Sequence, residues 1–294
     1  CAALWTGSAM TSLQHIRLRD GRFLSYRECG DPRGLPVIYN HGGTVSGLDA
    51  LTADEAASDL GIRFIAPNRP GIGASSYCRH RTLRQWAIDC CDLAEALELE
   101  RFGSFGLSMG GQYALALAAF LPERVNAVVV SAGAIPLNQH QALQELNPPD
   151  RMLTWLCRHC TPVAAALFFL VGLLAQRAPR RSIGLWKSQL SADDARVMSA
   201  FPASFLAACL GEAMQQPKGM VEEYRAWARP WGFAYNNIHC PATIFRGTSD
   251  QLIPRSWSEH MATALPQGVF QEVPNAGHLF PITDWQRVLR PFLA

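Results

Sequence analysis

The sequence predicts an α/β fold, in which a mostly parallel sheet is flanked by helices and interrupted by an inserted helical segment. Short apolar stretches of strand-like composition alternate with stretches of helical periodicity over most of the 294 residues. The strand candidates are continuously apolar, which is typical of strands covered on both faces. The alternation stops near Ile135 and resumes after Phe233, and the intervening sequence is helical in character.

Each element follows from a local pattern. Residues 13–19 and 23–29 form two strand-like runs joined at Asp20-Gly21, which predicts an antiparallel pair. Strands are then predicted at 36–43, 62–67, 102–107 and 125–133, with helices at 50–60, 83–97 and directly after Ser108. After the helical stretch we expect strands at 242–250 and 268–277, and helices at 256–264 and 285–293.

This order divides the chain into a core and an insertion. We expect residues 10–134 and 234–294 to form the core and residues 135–233 to form a helical cap. Residues 1–9 precede Met10, which resembles an initiator, so we expect them to be a tail that does not belong to the natural protein. A lipidated terminal cysteine is the alternative.

Composition narrows the functional class. Hydrophobic residues make up 49% of the chain and charged residues 17%, which suits a globular protein with a large core. The formal net charge of +2 is small for this length, so the sequence shows no footprint of a nucleic-acid-binding protein.

The nine cysteines form no disulfide framework. Their number is odd and their spacing irregular, which favours a reducing compartment, and we expect a cytoplasmic protein. Cys157 and Cys160 form a C-x-x-C pair, but no second pair completes a zinc site, so we interpret the spacing as chance.

The longest apolar run is residues 163–175. A membrane span needs about 20 such residues, so no stable membrane insertion is expected. The run predicts a buried or lid helix. The alternative is an apolar lid that contacts lipid or a lipid-like substrate.

A serine among glycines marks the most informative segment. Gly106-Leu107-Ser108-Met109-Gly110 has the form G-x-S-x-G between a predicted strand and a predicted helix, the context of a nucleophile elbow. In such a tight turn, Gly106 and Gly110 would relieve a clash beside the turning residue. Alone, the pattern is weak, because a serine between glycines is most often only a turn.

An acidic residue and a histidine later in the chain strengthen the interpretation of this segment as a nucleophile elbow. Asp250 and His278 each follow a late strand, and the loops after parallel strands gather at one edge of a sheet. The chain order Ser, Asp, His is that expected of an α/β-hydrolase triad. Asp250 could instead be a turn or capping residue, and His278 a surface histidine.

A glycine loop completes the constellation. The segment "NHGGTVSG" comes after the strand at 37–40 and can present a backbone N–H to a developing oxyanion. We interpret His41 as a hydrogen bonder that shapes this loop, and Arg69 as a residue that ties loops together. Trp86 is interpreted as a core contact.

With these segments in place, the chain resembles the α/β-hydrolase fold family. The resemblance is to its capped members, which include carboxylesterases, C–C bond hydrolases, cofactor-free haloperoxidases and proline iminopeptidases. It rests on "HGG", "NRPGIGASS", "GLSMGG", "GTSDQLIP" and "NAGHLFP", and covers residues 13–293, most weakly through the cap. It implies a mostly parallel sheet of eight strands.

The resemblance also implies roles for individual residues. Ser108 is the expected nucleophile, His278 the general base and Asp250 the acid that orients it. The backbone N–H groups of Met109 and Gly43 are expected to form the oxyanion hole, with Thr44 as the alternate for Gly43. A serine at this position argues against the epoxide hydrolase and haloalkane dehalogenase branches, where the family places an aspartate.

We therefore expect a serine hydrolase that cleaves a small to medium apolar carboxylic ester through an acyl-enzyme, with no metal and no cofactor. The open alternatives are C–C bond hydrolysis, aminopeptidase action, and a weakly catalytic ligand receptor. An aminopeptidase needs acids that hold a free amine, and Glu212, Glu222 and Glu223 are candidates, although we expect them to be solvated helix positions. The oligomeric state stays open.

The cap should supply the substrate pocket. Some of its large apolar side chains are expected to face the cleft while others pack the cap onto the core. The candidates are Trp155, Leu167, Phe168, Phe169, Leu170, Trp186, Met198, Phe201, Phe205, Met214 and Trp227.

Overall fold

A sheet of eight strands runs through the centre of the computed structural model, which describes residues 12–138 and 140–294. The order across the sheet is β1-β2-β4-β3-β5-β6-β7-β8. The first two pairings are antiparallel and the others parallel. The strands are β1 (Gln14–Arg17), β2 (Phe23–Gly30), β3 (Leu35–Asn40), β4 (Ile62–Pro67), β5 (Phe102–Leu107), β6 (Val125–Ser131), β7 (Ala242–Gly247) and β8 (Gly268–Val273).

Helices flank this sheet. Five belong to the alternating part of the chain: α1 (Asp54–Asp59), α2 (Leu83–Ala96), α3 (Gly110–Phe120), α11 (Arg255–Ala264) and α12 (Trp285–Leu289). Seven lie between β6 and β7: α4 (His140–Glu145), α5 (Pro148–His159), α6 (Thr161–Arg177), α7 (Pro179–Lys187), α8 (Ala192–Ser199), α9 (Ala203–Ala213) and α10 (Pro217–Trp227). The predicted fold class, a mostly parallel eight-stranded sheet with inserted helices, is confirmed.

The strand register sets the carboxyl ends of the parallel strands at one edge. Asn40 at the end of β3 pairs with Gly106 near the end of β5, and Leu107 pairs with Ser131 at the end of β6. At the end of β7, Gly247 pairs with Val273, the last residue of β8. The loops that follow β3, β5, β7 and β8 therefore emerge side by side.

The two faces of the sheet carry separate apolar clusters. One face buries Trp86 and Leu93 of α2 together with Leu115 of α3. The other face holds an aromatic cluster in which the ring of Trp285 lies 5.6 Å from that of Phe64 and 5.5 Å from that of Phe105. Coverage on both faces explains why the central strands β5 and β6 are mostly apolar and buried along their length.

Two predicted helices are divided in the structure. The helix expected at 50–60 consists of a 3₁₀ helix, Gly47–Ala53, followed by α1. The closing helix expected at 285–293 consists of α12 and a 3₁₀ helix, Arg290–Leu293. Pro291 has no N–H to donate, so the α-helical hydrogen-bond pattern cannot continue through it.

The helical insertion, defined here as α4 to α10, contacts the core at several points. Helix α9 packs against the 3₁₀ helix Gly47–Ala53, and α8 packs against a 3₁₀ helix at Phe280–Thr283. Both partners follow strands that end at the carboxyl edge. The insertion is thus placed over that edge, while the predicted tail at 1–9 lies outside the described residues.

Candidate active site

Ser108 occupies a left-handed turn between β5 and α3. Its φ is +54°, a region that side chains with a Cβ rarely adopt. The turn is fixed on both sides, because the Ser108 N–H donates to the Ser131 carbonyl at 2.8 Å and its own carbonyl accepts from the Gly111 N–H at 2.9 Å. The strained backbone presents the side chain at the carboxyl edge of the sheet.

The flanking glycines make this turn possible. A Cβ on Gly106 would lie 2.5 Å from the carbonyl oxygen of Gly110. A Cβ on Gly110 would lie 2.6 Å from the His41 carbonyl oxygen and would also press on that of Asn40. All these obstacles are backbone atoms, which cannot swing aside. The sequence prediction that Gly106 and Gly110 relieve a clash agrees with this geometry.

Asp250 and His278 meet beyond the ends of β7 and β8. The Nδ1 atom of His278 lies 3.0 Å from Oδ2 of Asp250, and both side chains are buried. The other carboxylate oxygen, Oδ1, accepts from the N–H groups of Leu252 and Ile253 at 2.8 and 3.1 Å. The carboxylate is thus held in place, and it orients the imidazole through Nδ1.

Electrostatics favour the ionised forms of this pair. Burial alone would lower the pKa of His278, but the Asp250 carboxylate, with smaller effects from Asp194 and Asp150, raises it above its ordinary value. Burial would likewise raise the pKa of Asp250, but His278 and two backbone N–H groups lower it below its usual range. The site therefore stabilises an imidazolium beside a carboxylate.

A cavity of about 490 Å³ brings Ser108 and His278 together. It lies between the carboxyl edge of the sheet and the helical insertion. Among the described residues, no hydrogen bond joins the two side chains. The insertion supplies mostly apolar walls: Trp186, Met198, Phe201, Phe205, Leu206 and Trp227.

The loop after β3 passes beside Ser108. A Cβ on Gly42 would lie 3.9 Å from the Ser108 Cβ, and one on Gly43 would lie 3.3 Å from Cε of Met109. Thr44 has a φ of +60°, which turns the loop sharply after the glycines. Gly43, Thr44 and Met109 line the cavity. In the loops of the described residues, no backbone carbonyl accepts from the N–H of Gly43 or Met109.

The match to a family model decides the family. The model for the alpha/beta hydrolase fold matches residues 36–284, a range that includes Ser108, Asp250 and His278. The chain belongs to the α/β hydrolase fold family.

Relatives within this family carry several names. A protein of Pseudomonas syringae pv. syringae proposed to be a carbamate hydrolase, RutD, is 27% identical over 218 residues, or 72% of this chain and 75% of the relative. A non-heme chloroperoxidase of Streptomyces lividans is 35% identical over 120 residues, or 40% of this chain and 44% of the relative.

Solved structures show the same fold at lower identity. A bromoperoxidase from Bacillus anthracis aligns with a TM-score of 0.74 and 19% identity, over 96% of this chain and 99% of that one. A thermophilic esterase from Thermogutta terrifontis aligns with a TM-score of 0.68 and 23% identity, over 96% and 97%. Family membership and the relatives' names support hydrolase activity.

This α/β hydrolase holds its glycine loop with a buried arginine. The Arg69 guanidinium donates to the carbonyls of His41 and Gly42 at 2.6 and 3.0 Å, and its Nε pairs with Glu223 of α10 at 2.8 Å. It also lies 4.5 Å from the centroid of the Tyr113 ring. Arg69 ties loops together, as the sequence suggested, and in addition joins the glycine loop to the insertion.

His41 has a shaping role in the same loop. It is fully buried and does not line the cavity. Its Nε2 accepts from the Arg69 N–H at 3.4 Å, so Nδ1, 3.0 Å from the Gly42 carbonyl, is the donor in that contact. Burial and the charge of Arg69 hold the pKa of His41 well below its usual range, which keeps the ring neutral.

The expectation that the three glutamates of the insertion are solvated was wrong. Glu222 and Glu223 are buried, and Glu212 is only 12% exposed. Each is paired with arginine: Glu212 with Arg27, Glu222 with Arg225, and Glu223 with both Arg69 and Arg81. Their carboxylates are thereby committed to structural ion pairs.

The large apolar residues of the insertion divide between the cavity wall, internal packing and, contrary to expectation, the exposed surface. Phe168 and Met214 are buried inside the insertion. Trp155, Phe169 and Leu170 instead lie on its outer surface. The apolar run at 163–175, predicted as a buried or lid helix, forms α6 with only one of its sides covered.

Sequence analysis missed Asp194, a buried residue of α8. Its Oδ1 accepts from the Leu279 N–H at 2.7 Å, and its Oδ2 accepts from the Ser191 hydroxyl at 2.7 Å. A Cβ on Gly277 would collide with this carboxylate, so the glycine leaves room for it. Asp194 therefore contacts both sequence neighbours of His278. In the sequence, only the glycine at position 277 could have indicated that a side chain packs against this backbone.

Asp49 was also missed. It lines the cavity from the 3₁₀ helix Gly47–Ala53 and is 6% exposed. Burial raises the pKa of Asp49 to about 7, although the Tyr39 hydroxyl, which donates to Oδ2 at 2.8 Å, opposes the shift. Within the described residues its other oxygen has no partner.

No described helix is long and apolar enough to cross a membrane.

Proposed function

We propose that the protein is a serine hydrolase that cleaves small to medium apolar carboxylic esters through an acyl-enzyme. The observation that carries this proposal is the meeting of two groups at one cavity. Ser108 reaches it on a strained turn, and His278 reaches it with its Nδ1 already bonded to a buried carboxylate. Strain of this kind persists where the surrounding structure enforces it, and it clusters at active sites.

In this proposal the imidazole of His278 carries the proton from the nucleophile to the leaving group. Because Nδ1 of His278 is bonded to Asp250, Nε2 is the nitrogen that faces the nucleophile. The Ser108 hydroxyl attacks the ester carbonyl carbon as its proton moves to Nε2. Hydrogen bonds of this kind are often long without substrate and tighten in the Michaelis complex. The imidazolium then gives the proton to the leaving alcohol, and water hydrolyses the acyl-enzyme.

The oxyanion forms where two amides converge. We assign the stabilising N–H groups to Met109 and Gly43, whose residues line the cavity beside Ser108. Helix α3 begins at Gly110, so the positive end of its dipole also lies at this point. One donor of this kind contributes roughly 3–4 kcal/mol of transition-state stabilisation in serine hydrolases.

The helical insertion is assigned as the cap, over residues 135–233. Its side chains form the apolar wall of the cavity, whose volume of about 490 Å³ suits a small to medium ligand. The one acid that the insertion contributes to the described lining, Asp150, does not favour a free amine. Both oxygens of Asp150 already accept from Tyr224 and Asn147 at 2.8 Å. These features support an ester over an aminopeptidase substrate.

The test is hydrolysis of p-nitrophenyl acetate, butyrate, octanoate and palmitate by the wild type and by Ser108→Ala. We expect turnover that peaks at one chain length and disappears in the variant. Ser256→Ala, an exposed serine on α11, is the matched control and should keep full activity. Absence of turnover at every chain length, or equal turnover by Ser108→Ala, would refute the ester proposal.

A carbamate is the second candidate substrate, because the Pseudomonas relative is proposed to act on one. The same nucleophile would attack its carbonyl. A p-nitrophenyl carbamate added to the series decides between the two, according to which substrate has the higher kcat/KM.

A further inference from the structure

An apolar patch lies on the outer surface of the insertion, away from the cavity. It is formed by α5, α6 and α7, since α5 and α7 both pack against α6. Trp155 is 56% exposed, Phe169 57% and Leu170 58%. We call the whole set the outer patch: Met152, Trp155, Val163, Phe169, Leu170, Leu173 and Leu185.

The outer patch is not needed to hold α6 in place. A separate stripe of that helix is buried against α9 and α10, and it consists of Ala164, Phe168, Gly172 and Ala175. At Gly172 a Cβ would lie 2.7 Å from the Cβ of Met214, which shows how closely this inner stripe packs. The helix is apolar on its opposite side as well, where it meets only solvent. A helix that is apolar all round is normally covered on all sides.

Arginines lie on the same three helices as the outer patch. Residues 148–187 contain five arginines and one lysine but a single acid, Asp150, whereas the whole chain carries only +2. This segment therefore holds +5, and the rest of the chain −3. All five arginines are exposed, and among the described residues none of them forms an ion pair: Arg151, Arg158, Arg177, Arg180 and Arg181.

We propose that the outer patch is a docking surface for an anionic lipid bilayer. Exposed apolar side chains, an exposed tryptophan and arginines on the same helices are what an interfacial helix presents to lipid: apolar groups enter the acyl boundary and cations contact phosphates. Helix α6 has 17 residues, about 25 Å at 1.5 Å per residue. That length suits a helix lying in the interface plane, and no described helix is long and apolar enough to cross it.

Charge favours lipid over a second copy of the chain. An isologous dimer would bring identical surfaces together. The arginines of one patch would then face those of the other, and like charges across an interface oppose association. The one acid of the segment, Asp150, is already bonded to Tyr224 and Asn147 and could not neutralise them. An anionic lipid surface instead offers phosphate groups to all of these arginines.

The experiment is flotation of the full chain with two kinds of vesicle: phosphatidylcholine alone, and phosphatidylcholine mixed with phosphatidylglycerol. We expect binding to the mixed vesicles only, weakened by salt. Arg180→Glu/Arg181→Glu should reduce partitioning more than tenfold, since each cation near an anionic surface contributes roughly fivefold. Leu170→Ser should weaken binding as well, because it removes an inserting side chain.

Matched controls separate local effects from general ones. Arg33→Glu/Arg101→Glu makes the same change in net charge at exposed sites on the core and should leave binding unchanged. Leu293→Ser removes an apolar side chain that is 50% exposed elsewhere and should also be neutral. Thermal melting of each variant confirms that it is folded.

The flotation assay would overturn the proposal if it showed no binding to mixed vesicles, equal binding to both vesicle types, or equal effects of patch and control variants. A dimer in solution that Leu170→Ser dissociates would assign the patch to self-association instead. Binding that Leu170→Ser leaves unchanged but that the arginine substitutions weaken would show electrostatic adsorption alone. That outcome would refute the insertion of apolar side chains into the bilayer. None of these readouts depends on the proposed esterase activity.

Discussion

Replacing Ser108 with glycine should give a more stable protein than replacing it with alanine. Ser108 has a φ of +54°, and a Cβ in this left-handed region costs about 1–2 kcal/mol. Glycine removes that cost, but its greater freedom in the unfolded chain offsets about 0.5–1 kcal/mol. The glycine variant should therefore exceed the alanine variant by about 0.5–1 kcal/mol in free energy of unfolding.

This pair of variants isolates backbone strain. Both lose the hydroxyl, so whatever the hydroxyl contributes cancels between them. Both also keep the backbone hydrogen bonds to Ser131 and Gly111 that fix the turn. In the proposed mechanism both are inactive, so the effect on stability is separated from the effect on chemistry.

The measurement is urea unfolding of the two variants in one buffer, with thermal melting as a second probe. The expected difference corresponds to about 1–3 °C in Tm for a chain of this size. An alanine variant as stable as the glycine variant, or more so, would show that the turn at Ser108 stores no strain. The elbow would then be an ordinary turn, and the main support for the proposed nucleophile would be lost.

Three further substitutions test the surrounding carboxylates. Asp250→Asn should lower kcat by about 10⁴-fold while leaving the fold intact, because the amide favours the wrong tautomer of His278; steady-state kinetics and circular dichroism check this. Asp194→Asn keeps an acceptor for the Leu279 N–H but removes a charge that raises the pKa of His278. In the proposed mechanism His278 is the general base and works only when neutral, so activity rises with pH through its pKa. This rise should move to lower pH in Asp194→Asn but not in Asp193→Asn. Asp49 keeps its proton to about pH 7 when folded, against an ordinary pKa of 3.8. Between these two pKa values the folded state binds more protons than the unfolded state. The free energy of unfolding therefore falls as the pH rises from the lower pKa to the higher one. Asp49→Asn should gain stability relative to the wild type by about 4 kcal/mol between pH 4 and pH 8; an equal difference in urea unfolding at both pH values would contradict this.

Local patterns were enough to predict the elbow and the edge of the sheet. The glycine at 106 indicates a tight strand-to-helix turn because the backbone that it must clear, at Gly110 and Gly111, is close by in sequence. Gly110 clears the distant carbonyls of Asn40 and His41, and only its place in the G-x-S-x-G pattern indicated its role. The placement of Asp250 and His278 needs only one further step, since residues after parallel strands share an edge. Asp194 was missed because the backbone that it holds, at Leu279, lies 85 residues further along the chain.

Glu223 shows why the remaining contacts could not be predicted. On α10 it follows Glu222 in a segment that contains both charged and apolar residues, which suggests a solvated helix. Its partner Arg69 lies 154 residues earlier, in a loop that only the folded sheet brings beneath the insertion. No periodicity within α10 encodes that meeting. The splitting of the predicted closing helix has a different cause, which is the missing backbone N–H of Pro291.

The insertion therefore does more than cover the cavity. Glu223 holds Arg69, which in turn fixes the carbonyls of the glycine loop, and Asp194 holds the backbone next to His278. Exchanging the whole insertion for another would leave Arg69 buried without its counter-charge, and breaking a buried pair in this way typically costs about 3–5 kcal/mol. Substrate range is better altered through wall residues such as Phe201, which face the cavity and lie on elements other than these anchors. If the substrate is the proposed ester, such changes should shift its preferred acyl length while leaving the loop and the imidazole in place.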